Sequence, residues 1–251
     1  MALRNIKLTI AYDGCDYHGW QRQPGEVTVQ ETVTEAIRSL LGPRARICGA
    51  SRTDAGVSAL GQVAVMQIDT PVPTENMAKA ITDRLPENIA VVKAEDVPMG
   101  FNVIGDVTGK LYRYTIYCGP IRPVLHMRRC WYVPSKLDIA KMNEAAKLLV
   151  GKKDFKSFAA AADRRENSVR TVTRCEVAEG PAEGGRWVYV DAEGDGFLYN
   201  MVRNIVGTLV EVGVGRWQPE KITEILEARD RKAAGPIAPP NGLCLMWIKY
   251  D

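Results

Sequence analysis

Long apolar runs are missing from this 251-residue chain. The longest, such as Leu243 to Ile248, have the length of a strand, far short of the roughly 18 residues of a membrane span. The opening Met1-Ala2-Leu3-Arg4-Asn5 lacks the apolar segment of a signal peptide, and no Asn-x-Ser/Thr acceptor occurs, so a cytoplasmic protein without a membrane partner is expected. Histidine is scarce, with only His18 and His126, far apart in sequence. The six cysteines are never closer than twelve residues, so there is no CxxC clip. A zinc or iron site would lack its short ligand pairs, and the cysteines read as small buried hydrophobes. HExxH, GxxxxGK[ST] and GxSxG are all absent, which removes the common metal hydrolases, P-loop NTPases and serine hydrolases. No metal and no cofactor is expected.

What is there is ordinary in bulk and unusual in detail. With 46% hydrophobic and 25% charged residues, the chain can bury a core in one large domain or in two of roughly 100–150 residues. The net charge is only +3, yet it is unevenly spread. Residues 1–100 carry −2, residues 101–175 carry +9 and residues 176–251 carry −4. The block from Lys110 through Arg174 could contact phosphates, or could be no more than a solvated lysine-rich helix near Lys141–Lys153.

The apolar pattern divides the chain into two α+β halves, 1–105 and 106–251. In the first, Ile6, Leu8 and Ile10 alternate as a strand. Thr28-x-x-Glu31 predicts a capping box ahead of an apolar helix stripe at Val29, Val33, Ile37 and Leu41. Strands are predicted at 45–50, 62–68 and 89–93, with a second helix from Thr74 to about Leu85. The resulting β-α-β-β-α-β order is that of ferredoxin-like modules, also used by RNA-binding domains. In the second half, strands are predicted at 111–118, 128–133, 169–178, 186–193 and 243–249, and helices at 138–150, 197–212 and 220–229. Gly180 to Gly185 reads as a hairpin connection, and Arg231 to Asn241 as an extended loop. Two such halves would share a long, mostly antiparallel sheet with a central cleft suited to a site.

Three segments carry chemistry. Gly49-Ala50-Ser51-Arg52-Thr53-Asp54-Ala55-Gly56-Val57 places one carboxylate among small residues in a loop. Asp54 could close an Asx turn near Gly56, or serve as a nucleophile kept ionised by Arg52. On the alternating strand Tyr112-Arg113-Tyr114, Tyr114 reads as core. Tyr112 could be core as well, or could stack on a nucleobase. Phe197-Leu198-Tyr199-Asn200-Met201-Val202-Arg203 enters an apolar helix, where Arg203 must snorkel or find a carboxylate such as Asp54.

Together these segments resemble the tRNA pseudouridine synthases of the TruA type. The resemblance is carried by Gly49 to Val63, by Tyr12-Asp13-Gly14 with Gly19-Trp20-Gln21-Arg22-Gln23, by Thr28-Val29-Gln30 and by Leu111-Tyr112-Arg113-Tyr114. Asp154-Phe155, Phe197 to Gly207, Asp230-Arg231 and Ala238 to Leu243 continue it in order to the end of the chain. It implies isomerisation of uridine to pseudouridine at positions 38–40 of the tRNA anticodon stem-loop, in a cleft between the two halves, by a homodimer. It further implies Asp54 as nucleophile, Tyr112 stacked on the uracil, Arg203 holding Asp54 as a carboxylate, and Arg52 filling the space of the extruded base or touching its phosphate. Two departures bear on RNA contact. Ser58 stands where the family more often has histidine, and Phe101-Asn102-Val103-Ile104 replaces a run ending in a basic side chain. Two other classes share part of this pattern. A non-catalytic RNA-binding protein would need the basic block but not Asp54, and a retaining glycosidase would need a second carboxylate about 5 Å away.

Overall fold

The computed structural model describes residues 3–180 and 186–251; residues 181–185 of the expected hairpin connection lie outside the described residues. The chain divides into two compact units, one formed by Met1–Thr108 with Leu245–Asp251, the other by Gly109–Cys244. In chain order, the first unit carries β1 (Arg4–Tyr12), α1 (Val29–Leu41), β2 (Ile47–Gly49), β3 (Ser58–Ile68), α2 (Thr74–Thr82) and β4 (Ile89–Val97). The second carries β5 (Val107–Cys118), β6 (Trp131–Val133), α3 (Ile139–Lys147), β7 (Gly151–Asp154), β8 (Val169–Glu179), β9 (Arg186–Gly194), α4 (Met201–Gly213) and α5 (Lys221–Ala228). β10 (Leu243–Tyr250) then runs back into the first unit. The α+β class and the β-α-β-β-α-β opening are as expected.

In the first unit the strands lie in the order β4-β1-β3-β10, with β2 also on β3. β1 is antiparallel to both β3 and β4, and β2 is antiparallel to β3. The alternation of β1 buries Ile6, Leu8 and Ile10 completely. β10 approaches β3 so closely at Gly61 that a Cβ there would lie 2.5 Å from the Met246 carbonyl oxygen.

The capping box is not formed. Thr28 is the N-cap residue of α1, but its hydroxyl is buried without a hydrogen-bond partner. Glu31 pairs with Arg22 at 2.9 Å instead of reaching back. The first-turn amides of Val29 and Gln30 donate to the carbonyls of Gly19 (3.1 Å) and Trp20 (3.0 Å), so the preceding chain does the capping.

In the second unit the order is β5-β9-β8-β7, antiparallel throughout, with β6 parallel to β5. The lysine-rich helix does not reach Lys153. α3 stops at Lys147, and Lys152 and Lys153 belong to β7, which pairs with β8. Two lysines in a four-residue strand are the composition of a protected sheet edge, which hides the strand from a hydrophobicity pattern. The helix expected from 197 begins at Met201, after a turn that ends on Asn200 in the left-handed region (φ 60°). From there α4 is buried on every face apart from Arg203.

Candidate active site

The Asp54 loop is held from both sides by residues of the first unit. Behind it, the buried Gln62 amide donates to the Ser51 carbonyl (2.7 Å) and accepts from the Ser51 and Val63 amides (3.3 and 3.1 Å). Its nitrogen also reaches the Tyr12 hydroxyl (3.4 Å), which is bonded in turn to the Thr53 hydroxyl (2.8 Å). In front, the Trp20 amide donates to the Thr53 carbonyl (3.1 Å). Three glycines permit this approach. A Cβ on Gly14 would sit 2.0 Å from the Val57 carbonyl oxygen, one on Gly49 2.2 Å from the Trp20 ring nitrogen, and one on Gly19 2.5 Å from the Thr53 carbonyl oxygen.

Asp54 itself opens a tight turn. The Val57 amide donates to the Asp54 carbonyl (3.1 Å), and Gly56 at φ 79° takes the position that needs a left-handed residue in a type II turn. The Gly56 amide, which an Asx turn would use, donates to the Tyr17 carbonyl instead (3.2 Å). These two backbone bonds define the turn and tie it to Tyr17. Asp54 is half-buried between the buried Thr53 and the exposed Ala55, and Arg52 is exposed.

The two departures from the family pattern have local roles. Ser58 accepts from the Gly14 amide (3.0 Å), tying the start of β3 to the end of β1. Asn102 caps its own turn by accepting from the amides of Ile104 and Gly105, while Phe101 packs on Tyr250 with ring centroids 4.9 Å apart.

The second unit supplies Tyr112 and Arg203. Tyr112 lies in the middle of β5, opposite Ala192 of β9, with its buried ring packed edge-on against Phe197 (5.4 Å, 89°). Tyr114, on the same face, is core as expected. It is fully buried, its hydroxyl donates to the Pro239 carbonyl (2.7 Å), and burial pushes its phenol pKa up. Lys110, two residues before Tyr112 on that face, is pushed down to about 8 by burial.

Arg203 is half-buried and points its guanidinium at carbonyl oxygens within its own unit. Nε donates to the Ala238 carbonyl (2.9 Å) and one terminal nitrogen to the Asn200 side-chain oxygen (3.1 Å). The Ala238 amide donates back to the Arg203 carbonyl (3.2 Å). The loop expected at 231–241 is thus fastened along α4. Gly207 leaves room for it, since a Cβ there would lie 1.7 Å from the Pro236 carbonyl oxygen. Arg231 bonds Asn204, and the Gly235 amide bonds Thr208.

Of the four candidates, Arg52 and Asp54 share the loop of the first unit, and Tyr112 and Arg203 share the face of the second that Phe197 and Ala238 support. Sequence reading missed Tyr12, Trp20 and Gln62 as loop holders. The strand holds two glutamines, Gln62 and the exposed Gln67, and only the fold shows that Gln62 is the buried one, which must find partners.

A cavity of about 700 Å³ also opens in the second unit, lined among others by Tyr117, Leu125, His126, Trp187 and Tyr189. None of the four candidate residues lines it. Among the described residues no helix is long and apolar enough to cross a membrane.

A family model described as tRNA pseudouridine synthase matches residues 8–104 and 145–251. The tRNA pseudouridine synthase A of Acetivibrio thermocellus is 42% identical over 248 residues, covering 99% of this chain and all of the relative. The tRNA pseudouridine synthase A 2 of Clostridium perfringens is 43% identical over 249 residues with the same coverage, and the Geobacter sulfurreducens tRNA pseudouridine synthase A is 41% identical over 248.

Proposed function

The chain belongs to the tRNA pseudouridine synthase family, and on that footing we propose that it isomerises uridine to pseudouridine at positions 38–40 of the anticodon stem-loop of cytoplasmic tRNA. The observation that carries the reading is the Asp54 loop. A turn that presents a half-buried carboxylate is held in place by the side chains of Gln62, Tyr12 and Thr53 and by the close backbone approach that three glycines permit.

The reaction breaks the N1–C1′ bond, turns the uracil and rejoins it through C5. It needs a nucleophile, a surface that keeps the detached base, and extrusion of the nucleotide from its stack. Asp54 is the nucleophile in this reading, adding at C1′ or at C6, or drawing a proton to give a glycal. Tyr112, backed by Phe197, offers its ring to the uracil. Arg203 keeps Asp54 ionised, and the exposed Arg52 enters the space of the flipped base or meets its phosphate. The reading requires the Asp54 loop of one unit and the Tyr112–Arg203 face of the other to serve a single nucleotide. The basic block supplies phosphate contacts, with Lys152, Lys156 and Arg164 exposed along it.

A homodimer completes the reading. Ile121, Val124 and Leu125, which are 76%, 72% and 93% exposed, themselves form one wall of the aromatic cavity, an open apolar surface that a second copy would cover. In a two-fold dimer the same apolar wall would be contributed by both copies. Leu125→Asp is expected to give a monomer by light scattering, where the unchanged chain gives a dimer.

The deciding experiment incubates the protein with a uridine-containing tRNA transcript and measures pseudouridine. Turnover is expected for the wild type and a loss of at least about a thousandfold for Asp54→Ala, with tRNA affinity retained. Binding without product would return the chain to the non-catalytic RNA-binding class.

A further inference from the structure

Between the candidate residues of the second unit lies a charged clasp to which the mechanism so far gives no part. The Asp163 side chain is only 5% exposed, although it stands in a loop. Arg165 embraces it through Nε (3.0 Å) and a terminal nitrogen (2.7 Å), and the Arg165 amide donates to it as well (3.0 Å). Its remaining bond leaves the loop: the Tyr199 amide donates to Asp163 Oδ2 (3.0 Å), thirty-six residues away in sequence. The Ala160 amide donates to the Tyr199 carbonyl (2.9 Å), so both backbone groups of Tyr199 are taken by the 160–163 segment. Arg165 also reaches the Phe197 carbonyl (3.4 Å).

What the clasp grips is the turn that supports both candidates. Phe197, two residues before Tyr199, forms the edge contact with the Tyr112 ring. Asn200, one residue after it, accepts from the Arg203 guanidinium. Asn200 holds a left-handed backbone (φ 60°, ψ 7°), and as the N-cap residue of α4 it makes no side-chain capping bond. Asparagine adopts this conformation more readily than other residues with a side chain, so the residue type suits the turn that the clasp holds.

We propose that Asp163 is a positioning residue: with Arg165 it fixes the Phe197–Asn200 turn, and through that turn it sets the Tyr112 ring and the Arg203 guanidinium for the reacting uridine. This rests on the pseudouridine synthase reading above. Misplacing reacting groups by about an ångström can cost two orders of magnitude in rate, so the effect belongs to the chemical step and not to RNA affinity.

The test measures single-turnover pseudouridine formation at saturating enzyme, tRNA affinity by filter binding, and hydrogen exchange at the Tyr199 amide. Wild type, Asp163→Asn, Asp163→Ala and Arg165→Met are compared. For Asp163→Ala the rate is expected to fall by about 10- to 100-fold, with affinity unchanged within about twofold and faster exchange at Tyr199. Asp163→Asn keeps an acceptor for the Tyr199 amide and should recover part of the rate; if the alanine variant fails to fold, this variant and Arg165→Met carry the comparison. A full rate in Asp163→Ala despite faster exchange at Tyr199 would overturn the proposal. So would a normal saturated rate with weakened tRNA binding, which would make the segment an RNA contact. A wild type that forms no pseudouridine would sink the underlying reading itself, a result distinct from an active wild type matched by its variants.

Discussion

The Asp54 loop and the Phe197–Arg203 turn are built by opposite means. The first is held by neutral groups, the buried Gln62 amide, the hydroxyls of Tyr12 and Thr53, and glycines that let backbone meet backbone. The second is held by ions, with the Asp163 carboxylate gripped by Arg165 and a guanidinium at 203 set against oxygens of Asn200 and Ala238. Arg165 keeps the Asp163 carboxyl well below the usual carboxylate range, so that grip stays ionised through neutral pH. In the proposed site the charge that keeps Asp54 ionised comes from Arg203, so the supports of the loop itself can be neutral. The two regions should therefore fail differently, one through packing and without pH dependence, the other through charge.

Among changes to the supports of the two regions, the largest effect is expected from Gln62→Leu. It removes three hydrogen bonds of Gln62, to the Ser51 amide and carbonyl and to the Val63 amide, costing about 3 kcal/mol at roughly 1 kcal/mol each. Urea unfolding should register that loss, and pseudouridine formation should fall at least about a hundredfold, equally at every pH from 6 to 9. A loss that varies with pH would break the comparison.

Arg203→Met comes next. Loss of the proposed pairing leaves Asp54 without its counter-charge and raises its pKa, so activity should fall about tenfold to a hundredfold near neutrality and partly return as pH rises. Methionine keeps the apolar stem, and stability should change by no more than about 1 kcal/mol. A flat pH profile combined with a steep loss of stability would make Arg203 structural.

The smallest effect concerns Lys110. Its folded pKa of about 8 lies below the unfolded value, so above pH 8 the unfolded chain binds more protons and folding gains stability as pH rises. Between pH 7 and 9 the wild type should gain about 1 kcal/mol relative to Lys110→Met, read from urea midpoints at both values. Parallel pH dependence in the two proteins would show that Lys110 keeps an ordinary pKa.

Much of the architecture was legible because alternation and helical stripes are local. β1, α1 and β8 to β10 stand within a few residues of their predicted places. β7 was hidden because an edge strand of Gly-Lys-Lys-Asp has no hydrophobic pattern to read. The capping box failed although Thr28 and Glu31 have the right spacing: Glu31 turns to Arg22, and the carbonyls of Gly19 and Trp20 cap the first two helical amides. The four candidate residues could be picked out because they sit in dense motifs. Tyr12, Gln62 and Asp163 could not, since each acts through contacts 11 to 50 residues away in the chain. Their side chains are unremarkable until the fold brings the partners together.

The return of Leu245–Asp251 to the first unit has a consequence for how the protein is made. Synthesis runs from the N-terminus, so β1 to β4 emerge long before the residues that lie against Gly61 of β3. Until then part of β3 presents open backbone groups, and the whole of Gly109–Cys244 is translated while they wait. Closing that contact joins Gly61 to Met246 across 185 positions, a slow step by its contact order. The half that carries Asp54 is thus begun first and completed last, and a nascent chain halted near Cys244 would have a finished second unit beside an unfinished first.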